Sequence, residues 1–375
     1  MKLRSVEPTP SPNTMKLNVD ERLPHGVQRE YRQEERETAP ELIRRLLAIE
    51  GVSSVFHTAD FLALERKSHA DWQRILMEAR EVFGQAEELR LPAETTGQEA
   101  WGEAQVYIQM FRGIPMQVKV TSGGEQSRTA LPERFGQAAV KAGSASPNLI
   151  MERKWVEQGV RYGDLREIGE EVAQEVEAAY PQERLDQLVE QAMQLQDDMP
   201  PAMPHVEKIA VTPEMLDHPD WQKRYAALER MDPTEEQLHV LVKALRDPKS
   251  SIRRLAVVYL GMVGGDEVLP YLFEALQDDS VSVRRTAGDT LSDLGDPRGI
   301  EPMCRALQDP NKLVRWRAAR FLYEVGDETA LPALRAAQDD PEFEVRLQIK
   351  MALERIESGE AASGTVWQQM TRRNE

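Results

Sequence analysis

Few residues in this chain have the type and spacing that covalent chemistry needs. The one cysteine, Cys304, lies in the run Pro302-Met303-Cys304-Arg305. A single thiol excludes an internal disulfide and any cysteine-built zinc or iron–sulfur site within one chain. In a helical, apolar setting it reads as a small buried hydrophobe rather than a nucleophile. His205, His218 and His239 are scattered, and no His-Glu pair occurs, so the ligand pattern of a non-haem iron site is missing. No nucleophile-elbow motif is present. Gly123-Gly124 is an isolated pair in a polar stretch and reads as a turn, not a phosphate cradle. Carboxylates are plentiful but follow helix faces, so no pair stands out as acid and base. No catalytic residue, cofactor or metal is expected, and the chemistry that remains is recognition.

The elements able to present a recognition surface are repeats. Arg253, Arg284, Arg315 and Arg346 each follow Ile or Val and recur about every 31 residues. The turns before them read Arg246-Asp247-Pro248, Gln277-Asp278-Asp279, Gln308-Asp309-Pro310 and Gln338-Asp339-Asp340. Gly264-Gly265, Gly295 and Gly326 close helices, and Asp296-Pro297 supplies both a cap and a first-turn proline. Asp217-His218-Pro219 with Lys223 and Arg224 reads as a degenerate first copy, for five units in all. Ile252, Ala256 and Leu260 fall at helical spacing, as do Val283, Ala287 and Leu291, and Val314, Ala318 and Leu322. One such pair cannot bury its apolar face alone, whereas stacked pairs can, so residues 213–357 are expected to form an α-solenoid. The recurring arginine is expected to pair with the aspartate of the inter-helix turn and tie units together.

Helix geometry then selects a surface. With Val283 facing the core, positions two and six further on point away from it. They make two rows, Arg254, Arg285, Trp316 and Leu347, and Val258, Asp289, Arg320 and Met351. Exposed apolar and aromatic side chains beside arginine have the composition of an interface, so these eight residues are expected to bind a partner protein.

The rest of the chain is mixed α+β. In residues 1–86, Thr14 to Val19 and Gln28 to Arg32 read as a hairpin about Leu23-Pro24-His25-Gly26. A helix follows from Pro40 and ends at Gly51. Strands from Val52 to His57 and Phe61 to Glu65 precede a helix from Asp71 to Phe83. In residues 103–195, Gln105 to Phe111 and Ile114 to Val120 form a second hairpin, before a helix from Leu131 to Ala142. A strand within Asn148 to Gly159 and acidic helices from Leu165 to Ala179 and Glu183 to Leu195 complete it. This order makes a divergent second copy of the first fold an expectation to be tested by strand order. Residues 196–212 read as a linker, and 358–375 as a mobile tail whose Trp367 is free to dock on the solenoid or a partner.

Net charge is -17 with a pI near 5.0, which repels nucleic-acid phosphates and acidic membrane surfaces. The stretch from Met1 through Pro8, Pro10 and Pro12 lacks an apolar core, and the apolar run near Leu255 to Val263 is too short to span a bilayer. A cytoplasmic chain with no nucleic-acid or membrane partner is expected.

The repeat pattern of Leu-x-x-Ala-Leu-x-Asp, Val-Arg-Arg and Leu-Gly-Asp resembles HEAT repeats of the short type found in bilin lyases. Thr9-Pro10-Ser11-Pro12-Asn13-Thr14-Met15-Lys16, Ile49-Glu50-Gly51-Val52, Val55-Phe56, Asp60-Phe61 and Asp71-Trp72 resemble the N-terminal domain of Nfu/NifU iron–sulfur scaffold proteins. The Cys-x-x-Cys domain that carries the cluster in those proteins has no counterpart here. An Nfu-like start joined to such repeats resembles the bacterial family of conserved virulence factor C. That resemblance implies a bacterial accessory or virulence-related regulatory role and no established chemistry. The combined expectation is a non-enzymatic protein-binding adaptor or scaffold that uses a HEAT-repeat groove. Its alternatives are an accessory factor linked to the iron–sulfur biogenesis machinery without its own cluster, and a lyase-type enzyme.

Overall fold

In the computed structural model, two antiparallel sheets, each with its own helices, pack against a stack of helix pairs. The structure describes residues 1–9, 11, 13–24, 27–67, 70–84, 103–122, 125–144, 149–194 and 208–359.

The first module contains β1 (Leu3–Pro8), β2 (Thr14–Val19), β3 (Gln28–Arg32), α1 (Glu41–Ala48), β4 (Val52–Thr58), β5 (Phe61–Arg66) and α2 (Trp72–Val82). Its sheet order is β1-β2-β5-β4-β3. The expected β2–β3 hairpin is therefore wrong. Met15, Leu17 and Val19 alternate into the core with Leu62 and Leu64, which requires β2 to sit inside the sheet between β1 and β5. The polar β3 takes an edge beside β4, where a strand with few buried side chains belongs. Gly51 adopts φ +96 after α1, and a Cβ there would collide with Ala70, so the helix end and the close approach both need glycine.

The second module contains β6 (Glu103–Phe111), β7 (Ile114–Ser122), β8 (Glu125–Ala130), α3 (Glu133–Gly143), α4 (Leu149–Glu152), β9 (Lys154–Tyr162), α5 (Leu165–Ala179) and α6 (Gln182–Gln194). Here β6, β7 and β8 meander and β9 joins beside β6, giving the order β8-β7-β6-β9. That order is unrelated to the first sheet's, so the second module is not a copy of the first. Asp164 caps α5 by accepting from the backbone N–H groups of Arg166 and Glu167.

The solenoid stacks α7 (Trp221–Glu229), α8 (Leu238–Ala244), α9 (Ser250–Val263), α10 (Leu269–Ala275), α11 (Val281–Leu294), α12 (Ile300–Ala306), α13 (Lys312–Val325), α14 (Leu331–Ala336) and α15 (Phe343–Glu357). A ladder of charge-assisted forks joins the units. Arg224 grips Asp247 at 2.7 and 2.9 Å, Arg253 grips Asp278 at 2.7 and 2.8 Å, Arg284 grips Asp309 at 2.6 and 3.1 Å, and Arg315 grips Asp340 at 2.7 and 3.2 Å. Each arginine also donates to carbonyls of its own turn, as Arg253 does to Asp247 and Pro248. The same aspartates accept the N–H two residues on, so one carboxylate shapes its turn and holds the preceding unit. The Arg224 rung makes the degenerate first copy a true unit. Gly295 closes α11 in the left-handed region, whereas Gly326 has φ -58 and does not.

Residues 208–212, expected to be linker, are docked: Ile209 bridges Met231 and Val211 is buried in the solenoid core. The remainder of that linker from 196 to 207, with His205, lies outside the described residues, as do Gly123-Gly124 and the tail from 360 with Trp367. Among the described residues no helix is long and apolar enough to cross a membrane.

Candidate functional site

The two rows expected to be exposed are instead buried or half-buried, and Arg254, Arg285 and Leu347 meet the chain's own modules. Arg285 is 0% exposed, and Arg254, Trp316 and Arg320 are also buried. Val258 is half-buried against the solenoid core, and Asp289 and Met351 are half-buried. Leu347, with Phe343 beside it on α15, packs against the core of the first module. Helical periodicity shows which face turns from the solenoid core, but it carries no information about what lies on that face. Here α2 lies against α15, α5 against α7, and β9 against α11.

Charged contacts pin this arrangement. At the far end Arg66, on β5, donates to Glu344 of α15 at 2.6 Å, with both side chains buried. Ser11, in the first module, donates to Glu103 of β6 at 2.9 Å. Desolvation pushes the Glu103 carboxyl above its ordinary range, against the pull of Ser11, Arg285 and Arg317.

Two triads of two arginines and one carboxylate lie between the second module and the solenoid. In the first, Arg161 of β9 forks onto Glu175 of α5 at 2.6 and 3.3 Å, and Arg254 of α9 approaches the same carboxylate at 3.5 Å. Burial opposes ionisation of Glu175, but Arg161 and Arg254 outweigh it, so its pKa is lowered. Burial and Arg161 lower the Arg254 pKa. Tyr225 of α7 donates to Glu175 as well, and burial raises its phenol well above the ordinary value. In the second triad, Asp289 pairs with Arg285 and with Arg317 at 2.6 Å. The Arg285 guanidinium also stacks on Tyr162 at 4.0 Å.

The first triad and Asp289 of the second line one open cleft of about 1000 Å³. Its walls are the β6–β9 side of the second sheet, helix α5, and helices α7, α9 and α11. Ile108, Met110 and Val156 supply one apolar wall and Leu255 and Val258 the other, with Met262 at 65% exposure. Of the eight predicted residues, Arg254, Val258 and Asp289 line this cleft. Arg161, Tyr162, Glu175 and Tyr225, which also line it, were missed. One signal was available: Glu175 sits in the phase of Val172, Val176 and Ala179, and a carboxylate on an apolar helical stripe demands a cationic partner. Which arginine answers it is a matter of tertiary packing.

Cys304 on α12 is half-buried, and burial pushes its thiol up to about 11. Little thiolate then exists near neutral pH. Among the described residues no His, Cys, Asp and Glu side chains group to hold a metal.

Comparison with known proteins divides the chain similarly. Residues 4–88 match the N-terminal family of the scaffold proteins Nfu/NifU. Residues 109–189 match a family described as virulence factor, and 210–291 and 274–354 match HEAT repeats. YpgR of Bacillus subtilis is 60% identical over 371 residues, covering 99% of this chain and 98% of that one. Conserved virulence factor C of Staphylococcus aureus is 48% identical over 375 residues, and that of Staphylococcus haemolyticus 45%, each covering 100% of both chains. The crystal structure of protein SAV1430 from Staphylococcus aureus is 32% identical, with 22% of this chain and 99% of that chain covered and a TM-score of 0.21.

Proposed function

The chain belongs to the family of conserved virulence factor C, and on that premise we propose that it is a non-enzymatic protein-binding adaptor whose solenoid cradles its own two sheet modules. The eight residues of the two rows then serve chiefly as the internal seat of those modules. Partner binding falls to surface that the closed molecule still shows.

The observation that carries this reading is an apolar patch on the second module. Val140 on α3, Met151 on α4 and Met193 on α6 are 73%, 76% and 48% exposed. The helices that carry them are linked: α3 packs on α6, and Arg112 ties α4 to α6, donating to Glu152 at 2.6 Å and to the Ala192 carbonyl at 2.7 Å. Large apolar side chains gathered at the surface mark interaction sites more often than isolated ones do. Methionine suits such a surface because its chain adapts to a partner.

The test places a photo-crosslinking amino acid at position 140 and irradiates native lysate, comparing the otherwise wild-type chain with Met151→Lys/Met193→Lys. A discrete crosslinked protein, lost in the double variant while stability stays within about 0.5 kcal/mol, is the expected result. Equal crosslinking from a site on the opposite face of the second module would end the patch as the docking surface.

A second reading rests on the match of residues 4–88 to the Nfu/NifU N-terminal family. In it the protein is an accessory factor in iron–sulfur protein maturation that docks clients without holding a cluster. Deletion should then lower iron–sulfur enzyme activities and leave other enzymes unchanged; a uniform effect on both would remove this reading.

A further inference from the structure

We propose that the free edge of β9 takes an added strand: an extended, basic segment of a partner protein that lies in the cleft between the second module and the solenoid. This edge adds a second docking surface to the adaptor reading and stands or falls apart from it, since the patch residues on α3, α4 and α6 do not line the cleft.

Strand β9 ends the sheet order β8-β7-β6-β9 and is paired on its β6 side alone. Among the described residues no backbone group bonds it from the other side. The one side chain there that bonds its backbone is its own Gln158, which donates to the Val156 carbonyl at 3.5 Å. An edge strand of nine residues therefore shows an open row of N–H and C=O groups, the template on which a further strand forms. Val156, Gln158, Gly159, Val160, Arg161 and Tyr162 all line the cleft. Successive side chains of a strand point to opposite faces, so a space that touches consecutive residues runs along the edge and not over one face. A Cβ on Gly159 would have no atom within 4 Å, so the backbone there is uncovered. The bulge at Gln158 and Gly159 keeps the added pairing short.

The walls specify what the segment carries. On the strand side the cleft has Val156 and Val160, and on the solenoid side Leu255, Val258 and Met262. Of these, Val160 and Met262 are 37% and 65% exposed, so apolar side chains on alternate residues of the segment find cover there. The polar lining is acidic, with Glu175, Glu229, Asp289 and Asp293 against Arg161 and Arg254. Both arginines are engaged with Glu175, Glu229 pairs with Arg184 at 3.3 Å, and Asp289 pairs with Arg285 and Arg317. Asp293 is left without a hydrogen bond or ion pair among the described residues. Burial and the like charge of Asp289 raise its carboxyl, against the pull of Arg317. In a chain of net charge -17, such a lining draws a lysine and repels a carboxylate. Main-chain hydrogen bonds then supply affinity, and the alternating apolar and basic side chains supply specificity. The volume of about 1000 Å³ has room for a segment of about five residues, which spans about 17 Å when extended.

The experiment titrates the full chain with the peptide acetyl-Val-Lys-Val-Lys-Val-amide and follows hydrogen exchange along both edges of the second sheet. The peptide should bind one-to-one, and exchange in β9 should slow at least about tenfold at saturation while β8, the opposite edge, keeps its rate. Acetyl-Val-Glu-Val-Glu-Val-amide should bind at least about tenfold more weakly. N-methylation of every residue, which removes the donors an added strand needs, should abolish binding. Met262→Lys should weaken the lysine peptide at least about tenfold, and Asp293→Asn about threefold, the worth of an ion pair near the surface. Met262 is exposed and Asp293 has no partner to lose, so both variants keep the fold. Binding that leaves β9 exchange unchanged, survives N-methylation or is as tight for the glutamate peptide overturns the proposal. So does the absence of any effect in both variants, or of binding to folded wild type up to about 1 mM peptide.

Discussion

Glu175 and Glu103 are desolvated carboxylates whose protonation is displaced in opposite directions. For Glu175 the arginines win, and its folded pKa is lowered. It contributes stability that is present above the unfolded value, about 4.3, and lost as pH falls through the folded value. Glu175→Gln should therefore cost about 3 kcal/mol at pH 7, the loss typical of removing one member of a buried ion pair. Urea melts should show that gap closing as pH is lowered below about 4. Glu103 is raised, so its contribution is complete below the unfolded pKa and declines as pH rises through the folded one. Glu103→Gln should gain on the wild type over that rise. A Glu175→Gln gap that stayed constant down to pH 2.5 would mean that Glu175 is not held ionised by Arg161 and Arg254.

At the scale of elements, the ladder is the main tie between solenoid units besides their apolar core. Arg284→Ala should destabilise by about 3 kcal/mol, because Asp309 is left buried without its partner. Arg284→Lys should recover only part of this, since an ammonium cannot fork across both oxygens. In a nearest-neighbour stack the damage stays local, so hydrogen exchange should quicken in α11 and α13 more than in α7. Exchange that rose evenly from α7 to α15 would show the stack to be one cooperative block. These rungs were legible in the sequence, because arginine and aspartate recur at fixed offsets and each unit repeats the same local chemistry. The β2–β3 pairing was not. Strand residues announce themselves by alternation, but the partner of a strand is chosen by which neighbour buries Met15, Leu17 and Val19, and that choice is non-local. The polar edge strands β1 and β8 escaped for the related reason that an edge demands little apolar content.

At the scale of the whole molecule, the inner face of the solenoid is a seat rather than an open groove. Sequence periodicity does not tell what fills that face, since the α5, β9 and α2 surfaces that lie against it carry no mark of their destination. Closure at the far end rests on Leu347, Phe343 and the Arg66–Glu344 pair. Leu347→Glu places a second carboxylate near buried Glu344 and should release the first module with its sheet intact. Solution scattering should then report a radius of gyration larger by about 2 Å or more, against about 21 Å for a compact chain of this length. An unchanged radius would locate the hold elsewhere. Arg66 and Glu344 are 278 positions apart in the chain, and they meet only because the stack between them has a set height. Repeat arrays usually lengthen in evolution by duplicating a unit in the gene. One extra helix pair here would carry α15 about 10 Å along the stack and out of reach of Arg66. The first module thus acts as a gauge on the array, since its contact with α15 is met at one height of the stack.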